Sequence, residues 1–165
     1  MKRKVILLKI FSLVKYLFFV LFFVMLYACG PKTIFDQNED VPNPWSYADK
    51  ISFEYEVQDT SVAYDLLLSI NHEIDFSFEN LYLNITTVFP DGEKITNPVS
   101  FQLSDSQTNW IGDCGSKNCD IEIEMSTKAY YKKKGKYTLI FEQHSRKDSL
   151  EGINSLTVKI QEHEE

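Results

Sequence analysis

The side chains of this 165-residue chain that could do covalent or acid–base chemistry are few and widely spaced. Cysteines stand at 29, 114 and 119, and the last two enclose the polar run Gly115-Ser116-Lys117-Asn118. Glu54 with Glu56, and Glu122 with Glu124, are carboxylates two residues apart. On a strand each pair would point the same way, and paired carboxylates are what glycoside hydrolysis requires. Both pairs alternate with apolar residues, however, as the solvent face of a half-buried strand does, and the solvated reading is the expectation. His72, His144 and His163 are scattered and there is no second cysteine pair, so the four ligands of a zinc site are not in place. No Gly-x-Ser-x-Gly elbow marks a nucleophile. The expectation is a protein that is not an enzyme, with no catalytic residue, metal or cofactor.

Cys29 belongs to a different pattern. Lys2, Arg3, Lys4, Lys9 and Lys15 form a leader without an acidic residue, and Tyr16 to Leu26 is an uncharged run of 11. A helix that crosses a bilayer needs about 20 apolar residues, whereas the core of a signal peptide needs about 7 to 15. The shorter reading fits. Leu26-Tyr27-Ala28-Cys29 resembles the lipobox of bacterial lipoproteins, with Tyr27 bulkier than the residue usual there. That resemblance implies cleavage between Ala28 and Cys29, a diacylglyceryl group on the Cys29 thiol, and an acyl chain such as palmitate on the new amino terminus. The alternative is a retained signal anchor, its apolar stretch extended back to Val5 across Lys9 and Lys15. Either one tethers the protein to a membrane. Gly30, rather than aspartate, follows Cys29, and by the sorting rule of well-studied lipoproteins this points to the outer membrane.

Charge narrows the partners. The chain has 17 Lys and Arg against 24 Asp and Glu. The leader holds five of the cations and none of the anions, so the portion from Cys29 onward has 12 against 24, a net charge of −12. Phosphate backbones need clustered cations, and nucleic acid is excluded as an expected partner. The 137 residues that remain after 28 are removed suit one domain.

The expected organisation is a signal peptide at 1–28, a lipidated flexible tether at 29–49 and a β-sandwich at 50–165. Pro31, Pro42 and Pro44 with Asn38, Glu39, Asp40 and Asn43 give the tether no periodicity. Trp45 and Tyr47, at its end, are expected to pack on the core. From Ile51 onward apolar residues alternate with polar ones: Ile51, Phe53, Tyr55, Val57; Tyr64, Leu66, Leu68, Ile70, with Leu67 outward; Leu81, Leu83, Ile85; Ile95, then Val99, Phe101, Leu103; Ile121, Ile123, Met125; Tyr137, Leu139, Phe141; Leu156, Val158, Ile160. Pro90-Asp91-Gly92 is a tight-turn sequence. Seven strands, or eight if Pro98 divides one, predict an all-β fold: an antiparallel β-sandwich, Ig-like or jelly-roll-like.

Past an export signal the compartment is oxidising, so a disulfide between Cys114 and Cys119 is the expected fate of that loop. Lys132-Lys133-Lys134, after Tyr130-Tyr131, is the one local basic cluster, expected as a turn into the next strand, with an anionic lipid or partner surface as the alternative.

One resemblance covers nearly the whole chain. Trp45 ahead of Ile51-Ser52-Phe53, then Tyr64-Asp65-Leu66, Phe76-Ser77-Phe78-Glu79-Asn80-Leu81-Tyr82-Leu83, Phe89-Pro90-Asp91-Gly92 and Trp110-Ile111-Gly112 appear in the order and spacing of the GldH family of gliding-motility lipoproteins. Gly135-Lys136-Tyr137-Thr138, Phe141-Glu142-Gln143 and Leu150-Glu151-Gly152-Ile153 continue it. Asn71 and His72 stand where the family often has an arginine, and the Cys114–Cys119 loop looks like a local elaboration. The resemblance implies a non-catalytic, lipid-anchored structural or assembly component of the gliding machinery. Its implied partners are the membrane, through Cys29, and other envelope proteins of gliding and type IX secretion. Tyr82, Tyr130 and Tyr131 are candidate aromatic contacts. The alternative from composition and fold is a carbohydrate-binding surface lipoprotein.

Overall fold

A computed structural model of the protein describes residue 15 and residues 30–164. Cys29 and Ala28, and with them the expected leader and its cleavage site, lie outside the described residues. Among the described residues no helix is long and apolar enough to cross a membrane.

Alternation became strand wherever it was present. Strands β3 (Lys50–Val57) and β9 (Gly135–Gln143) bury every second residue, as Ile51, Phe53, Tyr55 and Val57 and as Tyr137, Leu139, Phe141 and Gln143. Strands β4 (Tyr64–Glu73), β5 (Asn80–Val88), β6 (Lys94–Gln102), β8 (Asn118–Ala129) and β11 (Ile153–Glu162) follow the other alternating runs. The β5–β6 hairpin closes at Pro90-Asp91-Gly92, where Phe89 and Glu93 are hydrogen-bonded and Gly92 takes the left-handed φ of 84° that a side chain disfavours. Pro98 does not divide β6. That strand is the edge of its sheet, so a residue without an N–H is tolerated there.

The expected tether is corrected by the structure. Residues 33–40 form strand β1 (Thr33–Asp40), paired antiparallel with β11 from Thr33↔Gln161 to Asp40↔Ser155. The strand escapes a periodicity reading because it is an edge whose side chains are mostly exposed or half-buried on both faces. Backbone hydrogen bonds hold it, along with Phe35, which meets Phe53 edge-on at 6.5 Å. The folded unit accordingly begins at Lys32 rather than at residue 50. Trp45, in the short strand β2 (Trp45–Ser46), is fully buried and donates from Nε1 to the Asp49 carbonyl at 3.0 Å. Tyr47 is exposed instead, its hydroxyl on the Ser145 carbonyl at 2.5 Å.

Two antiparallel sheets stack face to face. One has the order β1-β11-β4-β8-β7, where β7 is Asp113–Cys114, and the other has β3-β9-β5-β6. A two-stranded ribbon joins β2 to β10 (Ser149–Leu150). Taking only the eight long strands in chain order, the first sheet reads first, eighth, third, sixth and the second reads second, seventh, fourth, fifth. This is the double Greek-key order of a jelly roll, and it decides between the two expected sandwich types. The core lies between the sheets, with Phe53 on Phe141 at 5.6 Å and Leu68, Ile70, Leu83, Leu156 and Val158 fully buried. Leu67 is buried outside that core, on the outer face between Lys159 and Glu124, beside a bulge at Leu66.

Candidate functional site

The jelly roll has two poles. At one, β1 begins and β5 ends: Thr33, the end of β11 and Tyr64 are neighbours, while the last residues of β3 and β5 meet the start of β9. At the other pole β5 begins, β9 ends and the Cys114–Cys119 loop sits against Glu73 and His72. A well-formed concavity lies at this second pole. It is a groove of about 660 Å³ between the start of β5 and the turn joining β9 to β10, within the range of small-ligand sites.

Its geometry follows from one residue that breaks the apolar rule. Gln143 continues the inward phase of Tyr137, Leu139 and Phe141 and is buried. A buried amide must find partners, and here the following turn supplies them. Gln143 Oε1 accepts from the Ser145 amide at 3.0 Å and the Ser145 hydroxyl at 2.7 Å, while Nε2 donates to the Lys147 carbonyl at 3.1 Å. The His144 amide donates to the Tyr82 carbonyl at 2.8 Å, and Tyr47 holds the Ser145 carbonyl. The turn is thus tied down while Arg146 and Lys147 project from it, exposed. Lys147 Nζ sits 5.3 Å from the centroid of the Phe78 ring, a cation–π arrangement. Tyr82 is 47% exposed on the same face. Among the described residues neither Arg146 nor Lys147 forms an ion pair, and no acidic side chain lines the groove.

The residues singled out in the sequence are placed elsewhere. Glu54 and Glu56 lie on the outer face of β3, Glu122 and Glu124 on the outer face of β8. These are opposite surfaces of the sandwich, so the two carboxylate pairs are not brought together. Glu54 instead pairs with Lys136 at 2.7 Å. His72 is fully buried, its Nδ1 donating to the Glu73 carbonyl at 2.9 Å and its ring 4.7 Å from that of Trp110. His163 pairs with Asp65 at 2.8 Å, and His144 borders the groove. Cys114 and Cys119 are joined in the expected disulfide, with Cys119 fully buried.

At the first pole, Lys132-Lys133-Lys134 forms the connection into β9, as expected, and Lys133 is bonded to Asp91. Tyr130 is 60% exposed there, but Tyr131 is drawn into a cluster with Tyr55, Tyr64 and Tyr137. Tyr55 stacks on Tyr137 with 13° between the rings, and the Tyr55 and Tyr131 hydroxyls are 3.1 Å apart. Burial pushes the phenol pKa of Tyr55, Tyr64 and Tyr131 upward, because it disfavours the phenolate. Of the three candidate contact tyrosines, then, Tyr82 and Tyr130 are surface groups at opposite poles and Tyr131 is a packing group. The groove itself was not anticipated. Its one signal in the sequence was Gln143, a polar residue in the inward phase of a strand.

Residues 33–160 match the family described as GldH lipoprotein. The chain belongs to the GldH lipoprotein family. Membership makes it a lipid-anchored protein of the cell envelope, and the match begins at the first residue of β1, so the matched range includes the strand that periodicity missed. Two GldH relatives are similar over most of their length. One, from Christiangramia forsetii, is called a gliding motility lipoprotein GldH homolog and is 23% identical over 150 residues, covering 87% of this chain and 92% of that protein. The other, gliding motility lipoprotein GldH of Flavobacterium johnsoniae, is 25% identical over 150 residues, covering 84% and 91%. Among solved structures, a carbohydrate-binding module specific for non-crystalline cellulose, CBM28, superposes with a TM-score of 0.46 and 9% identity, over 79% of this chain and 75% of the module.

Proposed function

We propose that this GldH-family protein is a non-catalytic structural component of the gliding machinery, linked to type IX secretion and held at the outer membrane by lipid on Cys29. The observation that carries the reading is the family match across 33–160, with relatives 23% and 25% identical that are named for gliding motility. In this reading residues 1–28 are the cleaved leader. Only Gly30, Pro31 and Lys32 separate Cys29 from β1, a span of roughly 10 Å when extended. The lipid would therefore hold the folded unit close against the bilayer rather than on a long leash. A non-catalytic role is supported by the use of the carboxylate pairs, which face solvent on opposite sheets.

The test is a gene deletion scored for colony spreading and for type IX-dependent secretion, complemented with the wild type and with Cys29→Ala. Restoration by the wild type alone is the expected result. Spreading and secretion that survive deletion unchanged would remove the proposal.

A further inference from the structure

We infer that the groove between Tyr82 and the turn after β9 is a binding site for an acidic oligosaccharide, one whose sugar rings carry carboxylates. The site and its ligand class stand apart from the gliding role, which could hold with or without them. Three observations converge on it. The first is charge. From Cys29 onward the chain has twice as many anions as cations, yet the groove is lined by Arg146, Lys147 and His144 and by no acidic side chain. Lys32, Lys50, Lys133 and Lys136 are each paired with a carboxylate, while Lys94, Lys117, Lys128, Lys132, Lys134 and Lys159, like Arg146 and Lys147, form no ion pair among the described residues; what sets Arg146 and Lys147 apart is that they adjoin in a concave lining without an acidic side chain. A guanidinium left open beside an ammonium is suited to forked recognition of a carboxylate.

The second observation is the aromatic surface. Tyr82 presents nearly half of its area to solvent on a strand whose neighbours hold it rigidly, and Phe78 lies on the other side under Lys147. The C–H face of a sugar ring is flat and apolar and packs on an aromatic face at little entropic cost, because tyrosine has only two side-chain torsions to lose. The third is preorganisation. Gln143, Tyr47 and the β2–β10 pairing fix the turn before any ligand arrives. An acidic peptide is the rival with the same charge. It is disfavoured because β5 is already paired on both edges, with β6 and β9, so a peptide could not add to the sheet there and its backbone groups would go unpaired.

The experiment is calorimetric titration of the full lipoprotein, purified in detergent, with trigalacturonate and with the trimannuronate of alginate. Maltotriose is the neutral control and hexaglutamate the peptide control. At least one uronate is expected to bind, more weakly as salt is raised, with maltotriose and hexaglutamate much weaker. Arg146→Ala and Tyr82→Ala should each weaken it by about tenfold, Tyr82→Phe should leave it unchanged, and all three variants should keep the wild-type melting temperature. Failure of both uronates to bind overturns the inference. So does uronate binding that both alanine variants retain, and so does hexaglutamate binding as tightly as the uronates.

Discussion

Aromatic and cationic residues crowd both poles of the jelly roll, and the two poles use them in opposite ways. Among the tyrosines near the start of β1 and β9, Tyr130 alone faces solvent, and the other four are turned inward with their hydroxyls occupied: Tyr55 with Tyr131, Tyr64 on the Asp59 carbonyl at 2.9 Å, Tyr137 on the Lys133 carbonyl at 2.8 Å. Lys133, Lys136 and Lys32 there pair with Asp91, Glu54 and Glu162, while Lys132 and Lys134 form no ion pair among the described residues. At the far pole Tyr82 faces outward and Arg146 and Lys147 have no anionic partner among the described residues. Groups whose partners lie within the chain contribute to folding, and groups held rigid without partners are available to something else. Counting aromatics or lysines would not distinguish the two ends; their partners do.

If the first pole is a stability element, Tyr137→Ala should have the largest effect. It removes a ring that is 2% exposed and touches Tyr55, Phe89 and Tyr131, and about 3–5 kcal/mol of unfolding free energy should be lost in urea titrations. A loss under about 1 kcal/mol would mean the cluster is not integral to the fold. Cys119→Ser, at the far pole, should cost about 2 kcal/mol, because the bridge closes a loop with a sequence separation of only 5. Hydrogen exchange should rise mainly around β7 and the start of β8. Exchange rising equally in β3 and β9 would contradict a local role for the disulfide.

Tyr55→Phe should cost about 1 kcal/mol through loss of the hydrogen bond to Tyr131. Its pH dependence is more telling. The folded state holds these phenols protonated, with pKa values above that of the unfolded chain near 10. Stability is therefore full below about pH 10 and declines as pH rises beyond it, because the unfolded state then loses protons that the folded state keeps. Tyr55→Phe with Tyr131→Phe should flatten that alkaline decline in denaturation curves collected between pH 8 and 11. The smallest effect is expected at the groove, where Tyr82→Ala and Arg146→Ala should each change stability by no more than about 0.5 kcal/mol. A cost near that of Tyr137→Ala would erase the contrast between the poles.

How much of this was readable in advance depended on whether a residue's environment is set by its immediate neighbours in the chain. In β3 and β9 alternation and burial coincide residue for residue, since one face is in the core and the other in water. The Pro90-Asp91-Gly92 turn and the Cys114–Cys119 bridge were legible for the same reason, both being made by residues close in sequence. Strand β1 was not, because an edge strand is held by backbone groups that carry no side-chain signature. Arg146 and Lys147 were equally silent: in a list of residues they are two more surface cations.

Local pattern by itself determined that the chain is an all-β sandwich, which residues of its central strands face inward, and, through motif order, that it resembles GldH lipoproteins. Periodicity is sufficient for that, because the pleat alone dictates which side a residue takes. Only the tertiary structure decided that the sandwich is a jelly roll, that residues 33–40 close one sheet, and that Tyr82 and Arg146 share a groove. Those outcomes depend on which strands pair across long separations, Thr33 with Gln161 and Leu83 with Gln143, and the alternation within a strand says nothing about its neighbour.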